Sequence, residues 1–442
     1  MAELNPEFRR HLWLELTPQR LVIVPLVIGL IVAALWLAIS RAAAGDAARV
    51  LLWALPTFWG SRLAADALID EVTGRTWESQ RMTALAPWSM TWGKLFGGTI
   101  VTWYGALWCI LALALTLGPA PALGEIIYAV LAGLLAQSLA LLFAALVLRL
   151  HDGSIRAHVT LAQATALLLT YAAYKVTVSG ALVTWYGFDI DRAVFGMLSL
   201  VTGIVWAMLG IHRCMRAEMQ ASGGPGLWLG FVLYAAAYAG GFARIIDMPS
   251  LILIDAGQQQ LVAGILVVLA LTYVGVFLTP KRFARLRWFL VVLRRRDWRA
   301  AWPLLPPWCG SLLIAVVLVA AFPLAALDTA RPLASTARPA VFLAACLLFT
   351  LRDLGLILAL TLDEQRGRSH ATALVYLGVL YGALPLLLTP LGWRVALPIL
   401  VPWPVEGPVL ALGPVALQAA LACWLLRVRW RRLGAHATTQ NV

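Results

Sequence analysis

The stretch "LVIVPLVIGLIVAALWLAI" (residues 21–39) contains no charged residue. A helix needs roughly 20 consecutive apolar residues to cross the hydrocarbon core of a bilayer. The whole chain of 442 residues has the same character, because 62% of its residues are hydrophobic and only 12% are charged. A soluble domain has about 25% charged residues. The sequence therefore predicts an all-α, polytopic membrane protein.

Apolar segments of similar length recur along the chain and predict about twelve transmembrane helices. The predicted spans are 21–39, 48–68, 95–117, 125–148, 158–182, 194–211, 227–243, 260–279, 309–326, 339–361, 371–389 and 408–426. Most of the Lys and Arg residues fall on one side of these spans if both termini are inside. The positive-inside rule therefore predicts cytoplasmic termini, and the net charge of +13 reflects topology.

The largest basic run, "KRFARLRWFLVVLRRRDWRA" (281–300), interleaves its charges with Leu, Trp, Phe and Val. This spacing favours an amphipathic helix lying on an anionic inner leaflet. Binding to nucleic acid is the weaker interpretation, and no nucleic-acid partner is predicted.

A polar interruption, "DEVTGRTWESQRMTALAPWSMTWGKL" (70–95), separates two apolar segments. The spacing of Trp77, Leu85, Trp88 and Trp92 predicts one apolar face of a short helix lying parallel to the membrane. Thr73 or Thr76 can cap that helix, and Pro87 suits the first turn of a helix that continues into the third span. The alternative is an ordinary interfacial loop whose tryptophans belong to the aromatic belt.

This stretch resembles the signature of the type 2 ABC exporter permeases, and so the chain is similar to the membrane-spanning subunit of an ABC transporter. The signature reads approximately E-x-x-x-G-T-[LW]-[ED] followed by T-P-L-S-x-W-x-x-x-x-G-K-L. The matching residues are Glu71, Thr76, Trp77, Glu78, Thr83, Leu85, Trp88, Gly93, Lys94 and Leu95. Three residues depart from it: Arg75 replaces a glycine, Ala84 a proline and Ala86 a serine. The segment "NPEFRRHLWLEL" (5–16) resembles the family's N-terminal interfacial helix.

The resemblance implies that 70–95 holds a coupling helix, which docks on a separate cytosolic ABC ATPase subunit. The implied docking residues are Glu71, Thr76, Trp77, Glu78, Arg81, Trp88 and Lys94. It further implies an exporter in the bacterial inner (cytoplasmic) membrane, with two copies of the ATPase. ATP and Mg would be bound by that partner, and this chain would bind no cofactor.

A partial repeat follows from "DEQRGR" (363–368), which resembles "DEVTGR" (70–75) at the end of another span. Asp363, Glu364 and Arg368 are therefore a second possible dock. The predicted organisation is a six-span permease unit at 1–220, two spans with the basic segment at 221–300, and a partial second repeat at 301–442. Two assemblies remain open: a homodimer, or one chain acting as both halves.

The sequence contains no motif for catalysis. The phosphate-binding pattern G-x-x-x-x-G-K-[ST] does not occur, and the six histidines are scattered without the spacing of a metal site. The chain is therefore predicted to be a non-catalytic transport subunit without a metal, and ATP hydrolysis is expected on another chain.

Charged residues inside the predicted spans are Arg62, Asp66, Lys175, Arg352 and Asp353. Arg62 and Asp66 are four residues apart, which predicts an intrahelical pair. Arg352 and Asp353 are adjacent, which predicts that they point to different sides and need partners on other spans. All five either form structural ion pairs or line a substrate pathway or gate.

These buried charges also suit an ion-coupled secondary transporter, which is the alternative function. For an exporter, lipid-like, peptide and drug-like substrates are all open. Gly93 and Gly97, spaced four apart, predict close packing of the third span on a neighbour.

Overall fold

The computed structural model describes residues 5–74, 76–82, 85–117, 119–150, 155–178, 182–221, 223–242, 256–327, 333–362, 368–393, 397–402 and 408–439. These residues are almost entirely helical, so the all-α class is confirmed. The helices are α1 (Pro6–Glu15), α2 (Pro18–Ala38), α3 (Arg41–Trp53), α4 (Gly60–Thr73), α5 (Trp77–Arg81), α6 (Pro87–Trp92), α7 (Ile100–Leu117), α8 (Pro119–Leu150), α9 (Ile155–Val178), α10 (Arg192–Glu218), α11 (Gly226–Gly240), α12 (Ala256–Phe277), α13 (Phe283–Arg294), α14 (Trp298–Ala301), α15 (Pro307–Leu327), α16 (Leu333–Thr361), α17 (Arg368–Gly378), α18 (Leu384–Leu388), α19 (Leu397–Leu400) and α20 (Pro408–Thr439).

Three π-helical segments interrupt or join these helices: Ala54–Trp59, Gly93–Gly97 and Val379–Ala383. A short 3₁₀ helix covers Trp302–Leu304, and the strands β1 (Leu182–Trp185) and β2 (Phe188–Asp191) form a two-stranded sheet. π-helical turns often mark functional sites, because the extra residue redirects the side chains around it.

The chain divides into two compact units, Met1–Val183 with Asp189–Gly223, and Thr184–Phe188 with Gly224–Val442. In the first unit, α2, α3, α7 and α8 share a core that includes Ile28, Leu52 and Leu113. A second core joins α4, α5, α6, α8 and α10 through Leu68, Trp77, Met90, Leu141 and Ile211.

The break between α3 and α4 in the first unit falls at Pro56, within the π-helical segment. Gln137 of α8 donates through Nε2 to the Pro56 carbonyl at 2.9 Å, while its Oε1 accepts from Trp103 Nε1 at 3.1 Å. A buried carbonyl exposed by a helix irregularity needs such a donor. The predicted span 48–68 is therefore two α-helices joined by a π-helical segment.

In the second unit, α11, α12, α15 and α16 share a core that includes Val232, Ile265, Phe322 and Leu343. The basic run folds as α13, which buries Phe283, Phe289 and Val292 and exposes its arginines. The predicted amphipathic helix is thus confirmed.

Eight helices among the described residues are long and apolar enough to cross a membrane, and α6 and α7 give a ninth if counted as one span bent by 48°. The eight include α2, α8, α10, α12, α15, α16, the helix across α17–α18, and α20. The protein is therefore a multi-pass, helical membrane protein, and the part of the chain that the structure describes contains fewer qualifying spans than the twelve predicted. Helix α11 is too short to qualify by itself.

Candidate functional site

The side chain of Lys94 is completely buried in the first unit and lies at the centre of an ion cluster. Lys94 Nζ donates to Glu7 Oε1 and to Gln80 Oε1, both at 3.2 Å. It also donates to Glu71 Oε2. Arg10 and His11 complete what we call the Lys94 cluster: Glu7, Arg10, His11, Glu71, Gln80 and Lys94.

Four structural elements bring this cluster together. Glu7 lies in the first turn of α1, Glu71 in the last turn of α4, Gln80 on α5, and Lys94 on the π-helical segment before α7. Helix α1 starts where it does because the Asn5 side chain accepts the backbone N–H of Glu7 at 3.0 Å. The same side chain donates to the Ser89 carbonyl at 2.7 Å, so the start of α1 is fastened to α6.

Two glycines allow α1 to approach the π-helical segment closely. A Cβ atom at Gly93 would lie 2.5 Å from Glu7 Cβ, and one at Gly97 would lie 2.6 Å from His11 Cβ. Any larger residue would therefore push α1 away. The predicted packing role of this glycine pair is confirmed, and the neighbour is α1 rather than another span.

The charges of the Lys94 cluster balance. Arg10 lies 3.0 Å from Glu7 Oε1 and also bonds Glu71 Oε1, so two carboxylates face two cations. Burial by itself raises the pKa of Glu7, but the hydrogen bond with His11 and the positive charges of Lys94 and Arg10 outweigh it and lower the pKa to about 2. Glu7 therefore stays ionised at neutral pH.

Glu7, His11 and Glu71 bring one ligand atom each within 4.8 Å of one another, which is the spacing of a metal site. However, the Lys94 ammonium already bonds both carboxylates, and the Arg10 guanidinium bonds both as well. A divalent cation would have to displace two positive side chains. The chemistry of these residues therefore favours a cluster of ion pairs that holds the helices together over a metal centre.

Helix α5 has an inner and an outer face. On the inner face, the Trp77 ring lies 5.2 Å from Lys94 Nζ, and Gln80 Nε2 donates to Glu71 Oε1 at 3.0 Å. On the outer face, Glu78 and Ser79 are exposed, and Met82 just beyond the helix is 84% exposed. This helix therefore presents a free polar surface while its other side is fixed to the ion cluster.

The predicted docking residues are split by this arrangement. Glu71, Trp77 and Lys94 are buried and face inward, so they cannot contact a partner directly. Thr76, Glu78 and Trp88 are exposed, although the Trp88 ring also packs edge-on against His212 at 4.9 Å. The backbone of Arg81 ends α5, and its side chain lies outside the described residues.

The prediction of one continuous apolar face across 77–92 is wrong. Helix α5 ends at Arg81, and a second helix, α6, begins at Pro87, as expected for proline in a first turn. Trp77 consequently points inward, whereas Trp88 and Trp92 are 41% and 43% exposed. Thr76 precedes α5, but its hydroxyl donates to the Glu71 carbonyl at 3.2 Å instead of capping the helix.

No protein-family model, curated protein or solved structure matches this chain.

The charged residues predicted inside spans form two local networks. Arg62 Nε donates to Asp66 Oδ2 at 2.9 Å, which confirms the intrahelical pair. The prediction for Arg352 and Asp353 is half wrong, because they do not point apart: Arg352 Nε donates to Asp353 Oδ1 at 2.8 Å.

The predicted partners of Arg352 and Asp353 on other spans do exist. Tyr273 of α12 and Tyr381 of the π-helical segment donate to Asp353 Oδ2 at 2.7 and 2.5 Å. Arg352 donates to Gln418 Oε1 of α20 at 2.8 Å. Asp353 is 0% and Arg352 2% exposed. This Asp353 network joins α12, α16 and α20 through side chains that are all hydrogen-bonded.

Several predicted residues cannot be placed. Asp363 and Glu364 lie outside the described residues, and so do the side chains of Lys175 and Arg368. Conversely, the prediction missed Glu7, His11 and Gln80 of the Lys94 cluster, and Tyr273, Tyr381 and Gln418 of the Asp353 network. An acidic residue in the first turn of the basic segment 5–16 was the one signal available for Glu7.

Proposed function

We propose that this chain is the membrane-spanning permease subunit of an ATP-driven ABC exporter, working with a separate ATPase subunit in the bacterial inner membrane. The observation that carries the proposal is the Lys94 cluster, which fixes the inner face of α5 while Thr76, Glu78 and Ser79 stay exposed. A helix that is anchored on one side and free on the other suits the transmission of force from a partner.

The Lys94 cluster connects α5 to the helix before it, α4, and to the bent span after it. Glu71 ends α4, and Lys94 belongs to the π-helical segment that continues into α7. Breaking a buried ion pair by removing one partner costs about 3–5 kcal/mol. A force that the ATPase applies to α5 would therefore move α1, α4 and the bent span together, because the ion pairs keep α5 attached to them.

The exposure of each residue supports a choice among the docking residues that the resemblance implies. Glu78 and Thr76 are the contacts that we propose, with Trp88 at the edge of the same surface. The inner face of α5 is instead held in position by Glu71, Trp77 and Lys94. An ABC transporter has two ATPase subunits, and the described residues of this chain contain one docking surface. We therefore propose a homodimer in which each copy binds one ATPase.

The proposal predicts that a gene for an ABC ATPase lies beside the gene for this chain, and co-purification of the two proteins tests it. Glu78→Lys reverses an exposed charge on α5 and should abolish co-purification and stimulation of ATP hydrolysis. Asp46→Lys makes the same change on α3, in the connection after α2 that is predicted to face the opposite side, and should change neither. Unchanged association in Glu78→Lys would overturn the docking assignment.

A second candidate, an ion-coupled secondary transporter, is favoured by the Asp353 network. A carboxylate at membrane depth is a typical coupling-ion site. Transport that follows a proton gradient without ATP, and that is lost in Asp353→Asn, would establish this candidate in place of the exporter. The Lys94 cluster favours the exporter, because a secondary transporter has no need for an anchored docking helix.

A further inference from the structure

An apolar groove of about 480 Å³ lies on the first unit, next to the Lys94 cluster. Phe8 of α1 forms one wall, Trp92 and Phe96 form the next, and Trp103 with Leu134 lies further along. The Trp92 and Phe96 rings stack with centroids 4.6 Å apart. This volume lies within the range of small-molecule sites, roughly 300–1,000 Å³.

The residues that line the groove favour the binding of a hydrocarbon chain. Asn5 and Trp103 bring polar groups to the groove, but both are already engaged: the Asn5 amide bonds Glu7 and Ser89, and the Trp103 indole N–H bonds Gln137. A polar ligand would lose its hydrogen bonds to water without gaining replacements from these groups. An apolar chain meets only favourable contacts.

The position of the groove indicates where such a chain comes from. Its walls run from the start of α1, which is not one of the candidate spans, along α7 and α8. Helix α8 contains a span, and α7 is the longer part of the bent one. The groove thus leads from the membrane interface into the hydrocarbon core, and its surroundings there are lipid.

A positive charge follows the groove-lining Phe8 in the sequence and is available to a lipid headgroup. Arg9 follows Phe8 directly and is exposed, and it takes part in none of the ion pairs among the described residues. Arg10, by contrast, is committed to Glu7 and Glu71. A free guanidinium at the interface attracts an anionic headgroup by about 1 kcal/mol per charge.

We infer that this groove binds one acyl chain of an anionic phospholipid, taken from the leaflet next to α1, with its headgroup at Arg9. The lipid contacts α1 and the residues around Gly93–Gly97, which are the two elements that Glu7 and Lys94 join. The bound acyl chain therefore fills the groove next to the Lys94 cluster. This inference does not depend on an ATPase partner, and it stands or falls separately from the exporter assignment.

Photolabelling of the full chain in lipid nanodiscs tests the inference. The probes are phosphatidylglycerol and phosphatidylcholine, each with a diazirine in one acyl chain, and labelled peptides are mapped by mass spectrometry. We expect labelling concentrated on the groove residues between Trp92 and Trp103 and around Leu134, with phosphatidylglycerol preferred. Arg9→Gln should remove the preference for phosphatidylglycerol while labelling from phosphatidylcholine persists.

A groove-filling variant and a matched control make the result decisive. Leu134→Trp should lower groove labelling about tenfold, because the displaced chain loses the burial of several methylene groups. Ile127→Trp, a similar change at an exposed position on the same helix, should leave labelling unchanged. Ile100→Trp provides a second filling variant if Leu134→Trp does not fold.

Labelling spread evenly over exposed residues such as Leu107 and Leu111, and unaffected by either filling variant, would overturn the inference. Equal labelling by both lipids in the wild type would overturn the assignment of Arg9 to the headgroup.

Discussion

Lys94 and Glu71, 23 residues apart in the sequence, form an ion pair in which the lysine side chain is 0% exposed and the glutamate side chain 9% exposed. The pair joins the end of α4 to the π-helical segment inside the bent span. Since Glu7 joins the same ammonium from α1, three separate segments are held by one buried positive charge. A buried charge of this kind is costly to leave without its partners.

Replacement of Lys94 by Met should destabilise the protein by about 3–5 kcal/mol, because Glu7 and Glu71 are then buried beside each other with only Arg10 to compensate them. Thermal unfolding in detergent measures this. The double variant Lys94→Met/Glu71→Gln removes one of the two carboxylates and should recover part of the loss. Equal stability of the single and double variants would show that the Lys94–Glu71 pair has no coupling energy.

Stability should fall with acid in a manner that depends on Glu7. Its pKa is lowered from 4.5 to about 2, so ionised Glu7 contributes stability that is fully present above pH 4.5 and is lost as the pH falls towards 2. Thermal midpoints measured across this interval should therefore drop in the wild type. In Glu7→Gln the midpoint should start lower at neutral pH and decline less over the same interval. A parallel decline in both proteins would exclude Glu7 as the responsible group.

Gly97→Ala should cost about 1–3 kcal/mol of stability, because the new methyl group would lie 2.6 Å from His11 Cβ and force α1 away from the π-helical segment. Gly382→Ala is the matched control: it also lies in a π-helical segment, and nothing is within 4 Å of the added atom. Unfolding followed by circular dichroism compares the two. A Gly97→Ala protein as stable as Gly382→Ala would mean that α1 adjusts without cost.

The sequence predicts those features of this fold that depend on neighbouring residues. Hydropathy located α2 and α8 because an apolar run of sufficient length is visible without any knowledge of contacts. Arg62 and Asp66 were paired correctly because positions four apart share a helix face. In the same way, Pro87 marked the start of α6.

Features that depend on distant residues could not be predicted. Glu7 and Lys94 are 87 residues apart, and nothing near either of them indicates the other. Arg352 and Asp353 were expected to diverge because adjacent Cβ atoms differ by about 100° around a helix. The long arginine side chain bends back to its neighbour instead. Tyr381 then bonds both residues and Tyr273 bonds Asp353, each from elsewhere in the fold.

The Asp353 network provides the last prediction. Asp353→Asn removes the negative charge that compensates Arg352, leaving a guanidinium that is 2% exposed without a counter-ion. The expected loss is about 3–5 kcal/mol, measured by thermal unfolding. Tyr381→Phe removes one donor to Asp353 and one acceptor of Arg352 but leaves the bonds from Tyr273 and to Gln418, so it should cost about 1.5–3 kcal/mol. A loss in Asp353→Asn no larger than that in Tyr381→Phe would show that the Arg352–Asp353 ion pair contributes no more to stability than the hydrogen bonds of one tyrosine.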